Sequence, residues 1–173
     1  MSNKKIKNAT IVKDGVITFK SKLEKSIFDT LLQYGFDPQY EPKTFVLIPS
    51  FIASTPFYDK ETDRQLKKRR EEGDKTARML VKKNPSIQSI KYTPDFYFKY
   101  NNLNVYIEGK GLENDVFYIK KKLFIRLLDT FEEPSIYFEV YTKKQLLQAI
   151  DIIKSYEQTD RTNEEVSETT SKE

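Results

Sequence analysis

Two short apolar runs separated by asparagines constrain the fold of this chain more than any other feature. Residues 92–100 and 105–111 are rich in aromatic and β-branched side chains, and the intervening residues 101–104 are Asn-Asn-Leu-Asn. This pattern predicts a β-hairpin with an Asn-rich turn. Because side chains two residues apart in a strand point to the same face, we expect Glu108 and Lys110 to project together.

The open end of this hairpin is a candidate metal site. A register that places Asp95 beside Glu108 would bring two carboxylates and the Lys110 ammonium together. Gly109 lies between Glu108 and Lys110 and leaves the backbone open to close approach. Mg²⁺ binds one or two carboxylates and usually keeps several waters. The pattern therefore predicts that Asp95 and Glu108 hold a divalent ion.

The same residues resemble a known signature. Pro94-Asp95 followed by Glu108-Gly109-Lys110 resembles the motif of the PD-(D/E)XK nuclease superfamily. The strand Tyr-Thr-Pro-Asp-Phe that contains Asp95 is similar to that of small phage endonucleases and Holliday-junction-resolvase-like members. The resemblance covers roughly residues 20–130. It implies Asp95, Glu108 and the Gly109 carbonyl as ligands of Mg²⁺ or Mn²⁺, and Lys110 as a positioner and electrostatic stabiliser.

Glu24 has two interpretations. Residues 21–34 have helical periodicity, and Ser21 with Glu24 three residues later forms a Ser-x-x-Glu capping box. In the first interpretation, Glu24 is only this cap. The resemblance implies a second, because many superfamily members carry a glutamate on the helix before the core strands. In that case Glu24 is a catalytic acid and a further metal ligand.

The chain contains no histidine and no cysteine. Zinc sites, Ser-His-Asp and Cys-His catalysis and a histidine general base are therefore excluded or strongly disfavoured. Any catalysis must use carboxylates, lysine, tyrosine or a hard metal ion. No apolar run reaches the ~20 residues of a membrane span, and no secretory leader is evident. We expect a cytoplasmic protein, phage-encoded or bacterial, with no membrane partner.

The charge is unevenly distributed. The net charge is +4, but residues 157–173 contain six acids and two bases, so residues 1–156 carry 28 bases and 20 acids, a net charge of +8. A basic body suits a polyanion such as DNA, although ordinary surface charge explains it equally well. Residues 60–83 form a basic arm or a solvated segment, and the helix after the hairpin is also basic. The candidate nucleic-acid contacts are Lys67, Lys68, Arg69, Arg70, Lys120 and Lys121.

The order of predicted elements is helix, strand, hairpin, helix, strand, helix, which indicates an α/β fold with a central mixed sheet flanked by helices. The resemblance implies a restriction-endonuclease-like core with a basic insertion after the first core strand. We divide the chain into a lead-in (1–19), a nuclease-like domain (20–156, with the insertion at 50–89) and an acidic tail (157–173). The tail is disordered by composition.

These observations favour a Mg²⁺-dependent DNA endonuclease acting on branched or junction DNA, with a homodimer as one way to cut two strands. A site-specific or transposition-type endonuclease is the nearest alternative. A non-catalytic nucleic-acid-binding module with the same fold, and a scaffold protein with solubilising charges, are the others. Metal-dependent cleavage separates the nuclease from the last two.

Overall fold

The computed structural model describes residues 10–75, 81–111 and 115–170, with side chains as far as Tyr156. The helices are α1 (Lys22–Gln33), α2 (Lys60–Glu71), α3 (Asp115–Leu128) and α4 (Lys143–Thr170). The strands are β1 (Val12–Asp14), β2 (Ile17–Phe19), β3 (Gln39–Tyr40), β4 (Phe45–Ile48), β5 (Phe51–Ile52), β6 (Ser86–Ile87), β7 (Ile90–Tyr92), β8 (Phe96–Tyr100), β9 (Leu103–Gly109) and β10 (Ser135–Val140). No described helix is both long and apolar enough to cross a lipid bilayer.

A four-stranded mixed sheet with the order β10-β9-β8-β3 forms the centre of the larger part of the chain. Strands β9 and β10 are parallel, whereas β8 is antiparallel to both β9 and β3. Helices flank this sheet, so the predicted α/β architecture with a mixed central sheet is confirmed. The β8–β9 hairpin has a shorter turn than predicted, because Tyr100 pairs with Leu103 and only Asn101 and Asn102 remain unpaired.

Alternation along β8 and β9 divides their side chains between two apolar layers. On one face, Phe96, Phe98 and Ile107 join apolar residues of α1 and α4 in a single core cluster. On the other face, Tyr106 packs edge-on against Phe124 of α3, with ring centroids 5.3 Å apart. Burial on both faces fixes the register, since a one-residue slip would exchange the two sets.

The sequence favours one continuous strand over residues 40–48, whereas the structure divides this segment in two. Glu41 has a φ of 45° and is followed by Pro42, which interrupts the extended chain between β3 and β4. The first strand of the sheet is therefore only two residues long. The sequence pattern misses this break because Glu41 adopts the left-handed conformation, which is uncommon for a residue other than glycine.

A second compact unit comprises Val46–Lys91, and the first contains the remainder of the chain. Within this second unit, α2 begins at an Asp59 cap whose side chain accepts a hydrogen bond from the Thr62 backbone N–H at 2.9 Å. The unit also contains the antiparallel β5–β6 pair. The basic segment of the sequence thus includes a capped helix with an almost entirely exposed surface.

The tail also differs from the prediction. The sequence favours a helix that ends near Tyr156 followed by a disordered tail over 157–173, but α4 continues to Thr170. The segment contains neither proline nor glycine between residues 143 and 170, so no residue there stops a helix once it has formed. Residues 171–173 of the predicted tail lie outside the described chain.

Candidate active site

The hairpin register places Asp95 and Glu108 side by side. Phe96 pairs with Ile107, so Asp95 lies opposite Glu108 one residue further along the two strands. The Asp95 backbone N–H donates to Glu108 Oε2 at 3.3 Å, and the Gly109 backbone N–H donates to Asp95 Oδ2 at 2.8 Å. Each carboxylate is therefore held by the backbone of the opposite strand.

Glu108 is buried, and two further side chains hold its carboxylate. Its Oε1 forms an ion pair with Lys110 Nζ, and its Oε2 accepts a hydrogen bond from the Tyr92 hydroxyl at 2.6 Å. The Lys110 ammonium also lies 3.7 Å from the centroid of the Phe117 ring. This ring and the carboxylate fix the ammonium between them, as expected of a cation–π contact that complements an ion pair.

Glu24 forms the predicted helix cap, and its side chain also lies close to the hairpin. Ser21 Oγ accepts a hydrogen bond from the Glu24 backbone N–H at 3.1 Å and donates one to Glu24 Oε1 at 2.9 Å, so the cap is present. Glu24 Oε2 accepts hydrogen bonds from the Lys20 backbone N–H (2.8 Å) and from the Tyr40 hydroxyl (2.6 Å). The same side chain also lies at the hairpin.

Gly109 marks the point where Glu24 and Asp95 approach each other. A Cβ atom added to Gly109 would lie 3.6 Å from Asp95 Oδ2, 3.9 Å from Glu24 Cγ and 2.9 Å from Ile27 Cδ1. The absence of a side chain at this position is therefore what lets α1 approach the hairpin. The structure thus brings together Glu24, Asp95, Glu108, Gly109 and Lys110.

Asp95 and Glu108 belong to a row of acidic residues that crosses the sheet. The Glu41 backbone N–H donates to the Asp95 carbonyl at 2.8 Å, and Glu139 on β10 is the register partner of Glu108. The row is therefore Glu41, Asp95, Glu108 and Glu139, one residue from each of four adjacent chain segments. We refer to these four residues as the acidic row.

Three members of the acidic row have a basic partner. Lys20 pairs with Glu41, Lys110 with Glu108, and Lys121 with Glu139 at 2.6 Å. Asp95 forms no ion pair with any described residue. Within the described chain it is thus the member of the acidic row without an ion pair, although the Lys110 ammonium is near enough to lower its pKa.

The electrostatics of Asp95 reflect this position. Burial, together with the negative charges of Glu108 and Glu24, raises the pKa of Asp95 from 3.8 to about 8. The Gly109 N–H and the Lys110 ammonium act in the opposite direction without cancelling the effect. A carboxyl group with such a pKa near two other carboxylates is typical of a functional site.

Two residues that contribute to this site, Lys20 and Tyr92, were not predicted from the sequence. Burial opposes protonation of Lys20, but the hydrogen bond and charge of Glu41, with the charges of Asp95 and Glu24, raise the pKa of its ammonium. Tyr92 is a second such residue, through its bond to Glu108. The signal available for Tyr92 was its place two residues before Pro94, although it lies on β7 and not on the hairpin strand β8. Lys20 had no signal beyond preceding the helix cap.

The predicted nucleic-acid contacts fall into two groups. Lys67, Lys68, Arg69 and Arg70 lie together on α2 of the second unit and are exposed. Of these, Lys67 pairs with Asp63, Lys68 with Glu72 and Arg69 with Asp74. Lys120 and Lys121 lie on α3, where Lys121 is engaged by Glu139. The predicted Asn114 cap of this helix lies outside the described residues.

The predicted metal site uses only two carboxylate ligands, Asp95 and Glu108. Across the described ranges, no group of three or more acidic side chains is arranged to hold an ion. Asp95 and Glu108, with the Gly109 carbonyl, remain the predicted ligands, and Mg²⁺ commonly uses one or two carboxylates with water completing its shell. The donor set is therefore chemically suited to Mg²⁺ or Mn²⁺.

Comparison with protein-family models, with curated proteins and with solved structures returns no significant match for this chain.

Proposed function

We propose that this protein is a metal-dependent endonuclease that hydrolyses phosphodiester bonds in DNA, with a restriction-endonuclease-like core of the PD-(D/E)XK type. The observation that carries the proposal is that Asp95, the residue just before β8, lies next to Glu108 on β9, with Lys110 paired to Glu108. The mixed sheet flanked by helices is compatible with that core. The absence of histidine and cysteine leaves few other catalytic chemistries for the chain.

The crowding of carboxylates supports a divalent cation as the cofactor. Burial and two neighbouring carboxylates raise the pKa of Asp95, so ionising the site is costly without added positive charge. Asp95, Glu108 and the Gly109 carbonyl would hold Mg²⁺ or Mn²⁺, with Glu24 next to them. When bound, the ion would polarise the phosphoryl oxygen and lower the pKa of a bound water.

The remaining catalytic work falls to groups of the protein itself. The Gly109 N–H holds Asp95 Oδ2, and Tyr92 with the Asp95 N–H holds Glu108 Oε2, so both carboxylates have fixed orientations. Lys110, fixed between Glu108 and the Phe117 ring, would stabilise the negative charge that develops on the phosphate and position the attacking water. Preorganised groups of this kind do not need to reorient during the reaction.

The substrate we propose is branched or junction DNA, and a site-specific or transposition-type endonuclease is the nearest alternative. The exposed basic residues of α2 would contact phosphates, because cations on a polyanion release counterions and gain affinity. Cleavage of two strands would be served by a homodimer. We place the reaction in the cytoplasm of a bacterial or phage-infected cell.

One observation favours a second candidate, a non-catalytic nucleic-acid-binding module. All four carboxylate oxygens of Glu24 and Glu108 already have protein partners. The carboxylates of Glu24 and Glu108 are therefore satisfied without an ion. A module of this kind would bind DNA in a salt-dependent manner and would not cut it.

The experiment that separates these candidates is a cleavage assay on four-way junction, forked and linear DNA with Mg²⁺, Mn²⁺ or EDTA. We expect metal-dependent cleavage that is strongest on branched substrates and absent in EDTA. Asp95→Ala, Glu108→Ala and Lys110→Ala should each abolish cleavage and keep most DNA binding. Asp151→Ala, an exposed change on α4, is the matched control and should retain activity.

The outcomes are distinct. Salt-dependent DNA binding by wild-type protein without cleavage in either metal would select the binding module. Cleavage that survives all three site substitutions would place the chemistry elsewhere. Absence of both binding and cleavage would favour a scaffold role.

A further inference from the structure

A cavity of about 380 Å³ lies next to the acidic row on the sheet. Aromatic rings dominate its lining, with a glutamine and a lysine among them. The lining includes Gln39, Lys43, Phe45, Tyr97, Tyr106 and Phe131. The residues described above as the candidate active site do not line this cavity, so it requires its own explanation.

The position of the cavity follows from the strand register. Gln39, Tyr97 and Tyr106 are consecutive register partners on β3, β8 and β9. Tyr97 is two residues from Asp95, and Tyr106 is two residues from Glu108. At about 3.3 Å of rise per residue, this cross-strand row lies about 7 Å from the acidic row and on the same face.

The walls of the cavity suit a flat aromatic ligand. The Tyr97 and Tyr106 rings have centroids 5.1 Å apart, and the Phe45 ring meets Tyr106 edge-on at 5.9 Å. Phe45 and Tyr106 are buried, so this part of the lining is held in place by the core. The volume is near the lower end of the range for small-molecule sites, which fits one planar group rather than an extended ligand.

The polar groups of the cavity suit a ligand that joins a ring to a phosphate. Lys43 is exposed, and its Nζ lies 5.2 Å from the Phe45 ring centroid, so a cation stands beside the aromatic lining. The Gln39 amide offers both hydrogen-bond donors and an acceptor to the edge of a ring. Nucleobases stack on phenylalanine and tyrosine side chains, and their phosphates attract lysine.

We propose that this cavity binds one unpaired nucleobase of the DNA whose phosphodiester lies at Asp95 and Glu108. This inference rests on the proposed nuclease function and deepens it by naming what the enzyme reads. A base that is already unpaired, as near a fork or junction, enters the cavity at little cost. A base in continuous duplex must first be unstacked and unpaired, which costs a few kcal/mol. The cavity thus selects branched or locally melted DNA.

The test uses forked and fully paired duplexes that carry the fluorescent base 2-aminopurine at successive positions around the branch point. Binding is measured with Ca²⁺ in place of Mg²⁺, and cleavage is measured separately with Mg²⁺. We expect a fluorescence change at one unpaired position only. Tyr97→Ala should weaken binding of the forked duplex by roughly 5- to 150-fold, the range for loss of one stacked base.

Three comparisons keep the test specific. Tyr97→Phe keeps the ring and should retain both affinity and signal, whereas Lys43→Ala should weaken binding with the signal still present. Tyr156→Ala removes an exposed tyrosine from α4 and should behave as wild type. Circular dichroism and thermal unfolding of each variant confirm that the fold persists.

The inference is overturned if Tyr97→Ala leaves both the affinity and the 2-aminopurine signal unchanged. It is also overturned if free 2-aminopurine riboside binds as tightly as the forked duplex, since the cavity would then be a site for a free nucleoside. If the 2-aminopurine results hold and no DNA is cut, the base site stands and the proposed nuclease function fails. If DNA is cut and no unpaired position gives a 2-aminopurine signal, the proposed nuclease function stands and the base site fails.

Discussion

Replacing Asp95 by asparagine should stabilise the protein, although it should abolish DNA cleavage. Asparagine has nearly the same shape and keeps an oxygen that can accept the Gly109 N–H, but it cannot ionise. Burial with two neighbouring carboxylates raises the pKa of Asp95 from 3.8 to about 8 in the folded protein. Asparagine is neutral at every pH, so it removes the cost of keeping this buried carboxyl group protonated.

Proton linkage gives the direction in which the free energy of unfolding changes with pH. Between pH 3.8 and about 8 the folded protein keeps a proton on Asp95 that the unfolded chain has released. The free energy of unfolding therefore falls as pH rises through this interval, by at most about 1.4 kcal/mol per pH unit or about 6 kcal/mol in total. Side-chain relaxation and water entry offset part of this cost, so we expect Asp95→Asn to gain about 1–3 kcal/mol at pH 8.

The assay is thermal or urea unfolding of wild type and Asp95→Asn from pH 4 to pH 8.5. The two proteins should be nearly equal at pH 4 and should diverge as pH rises. At pH 8 the variant should melt about 2–12 °C higher, given about 2–4 °C per kcal/mol for a chain of this size. Asp151→Asn, on the exposed surface of α4, should show no such pH-dependent gain.

The effect of divalent metal on stability provides a second test of the charge at Asp95. If the ion binds at Asp95 and Glu108, millimolar Mg²⁺ or Mn²⁺ should raise the melting temperature of wild type and have little effect on Asp95→Asn. A variant that is less stable than wild type at pH 8, or a difference that does not change with pH, would refute the assignment of crowded negative charge to Asp95.

Three further substitutions test other parts of the site. Lys110→Met should lower the free energy of unfolding in urea by about 3 kcal/mol, because it leaves the buried Glu108 carboxylate without its ion-pair partner. Adding Glu108→Gln to this variant should restore part of that stability. If the losses of the two single substitutions simply add in the double variant, the two side chains are not coupled. Gly109→Ala should cost about 1–2 kcal/mol, because its Cβ would meet Ile27 Cδ1 at 2.9 Å, and should also reduce cleavage by displacing Asp95. Glu24→Gln should reduce cleavage if the Glu24 carboxylate is a metal ligand. If the variant keeps full activity and loses only about 1 kcal/mol of stability, Glu24 acts only as a helix cap.

The hairpin and its acids could be predicted because they depend on local rules. Alternation of apolar side chains and an Asn-rich turn suffice to place Asp95 next to Glu108. The break at Glu41 could not be predicted in the same way, because a non-glycine residue with positive φ is set by tertiary context. The extension of α4 beyond Tyr156 to Thr170 was not predicted, although that segment contains neither proline nor glycine.

The charge compensation in the site depends on contacts between distant segments, which a single sequence does not reveal. Lys121 and Glu139 meet because α3 packs on the sheet beside β10, and Lys20 reaches Glu41 from the segment before α1. Neither pair has a spacing that a helix or strand rule would detect.

The pattern of ion pairs between lysines and the acidic row nevertheless bears on function. Lysines pair with Glu41, Glu108 and Glu139, while Asp95 has no ion-pair partner among the described residues. If the row were only structural, an amide at position 95 would be more favourable at neutral pH, since it would keep the Gly109 bond without the cost of protonating a buried carboxyl group. A carboxyl group without an ion pair beside one that has an ion pair is the arrangement that the proposed cation would compensate. The stability gain expected for Asp95→Asn and the loss of its metal response are therefore two measures of the same missing positive charge.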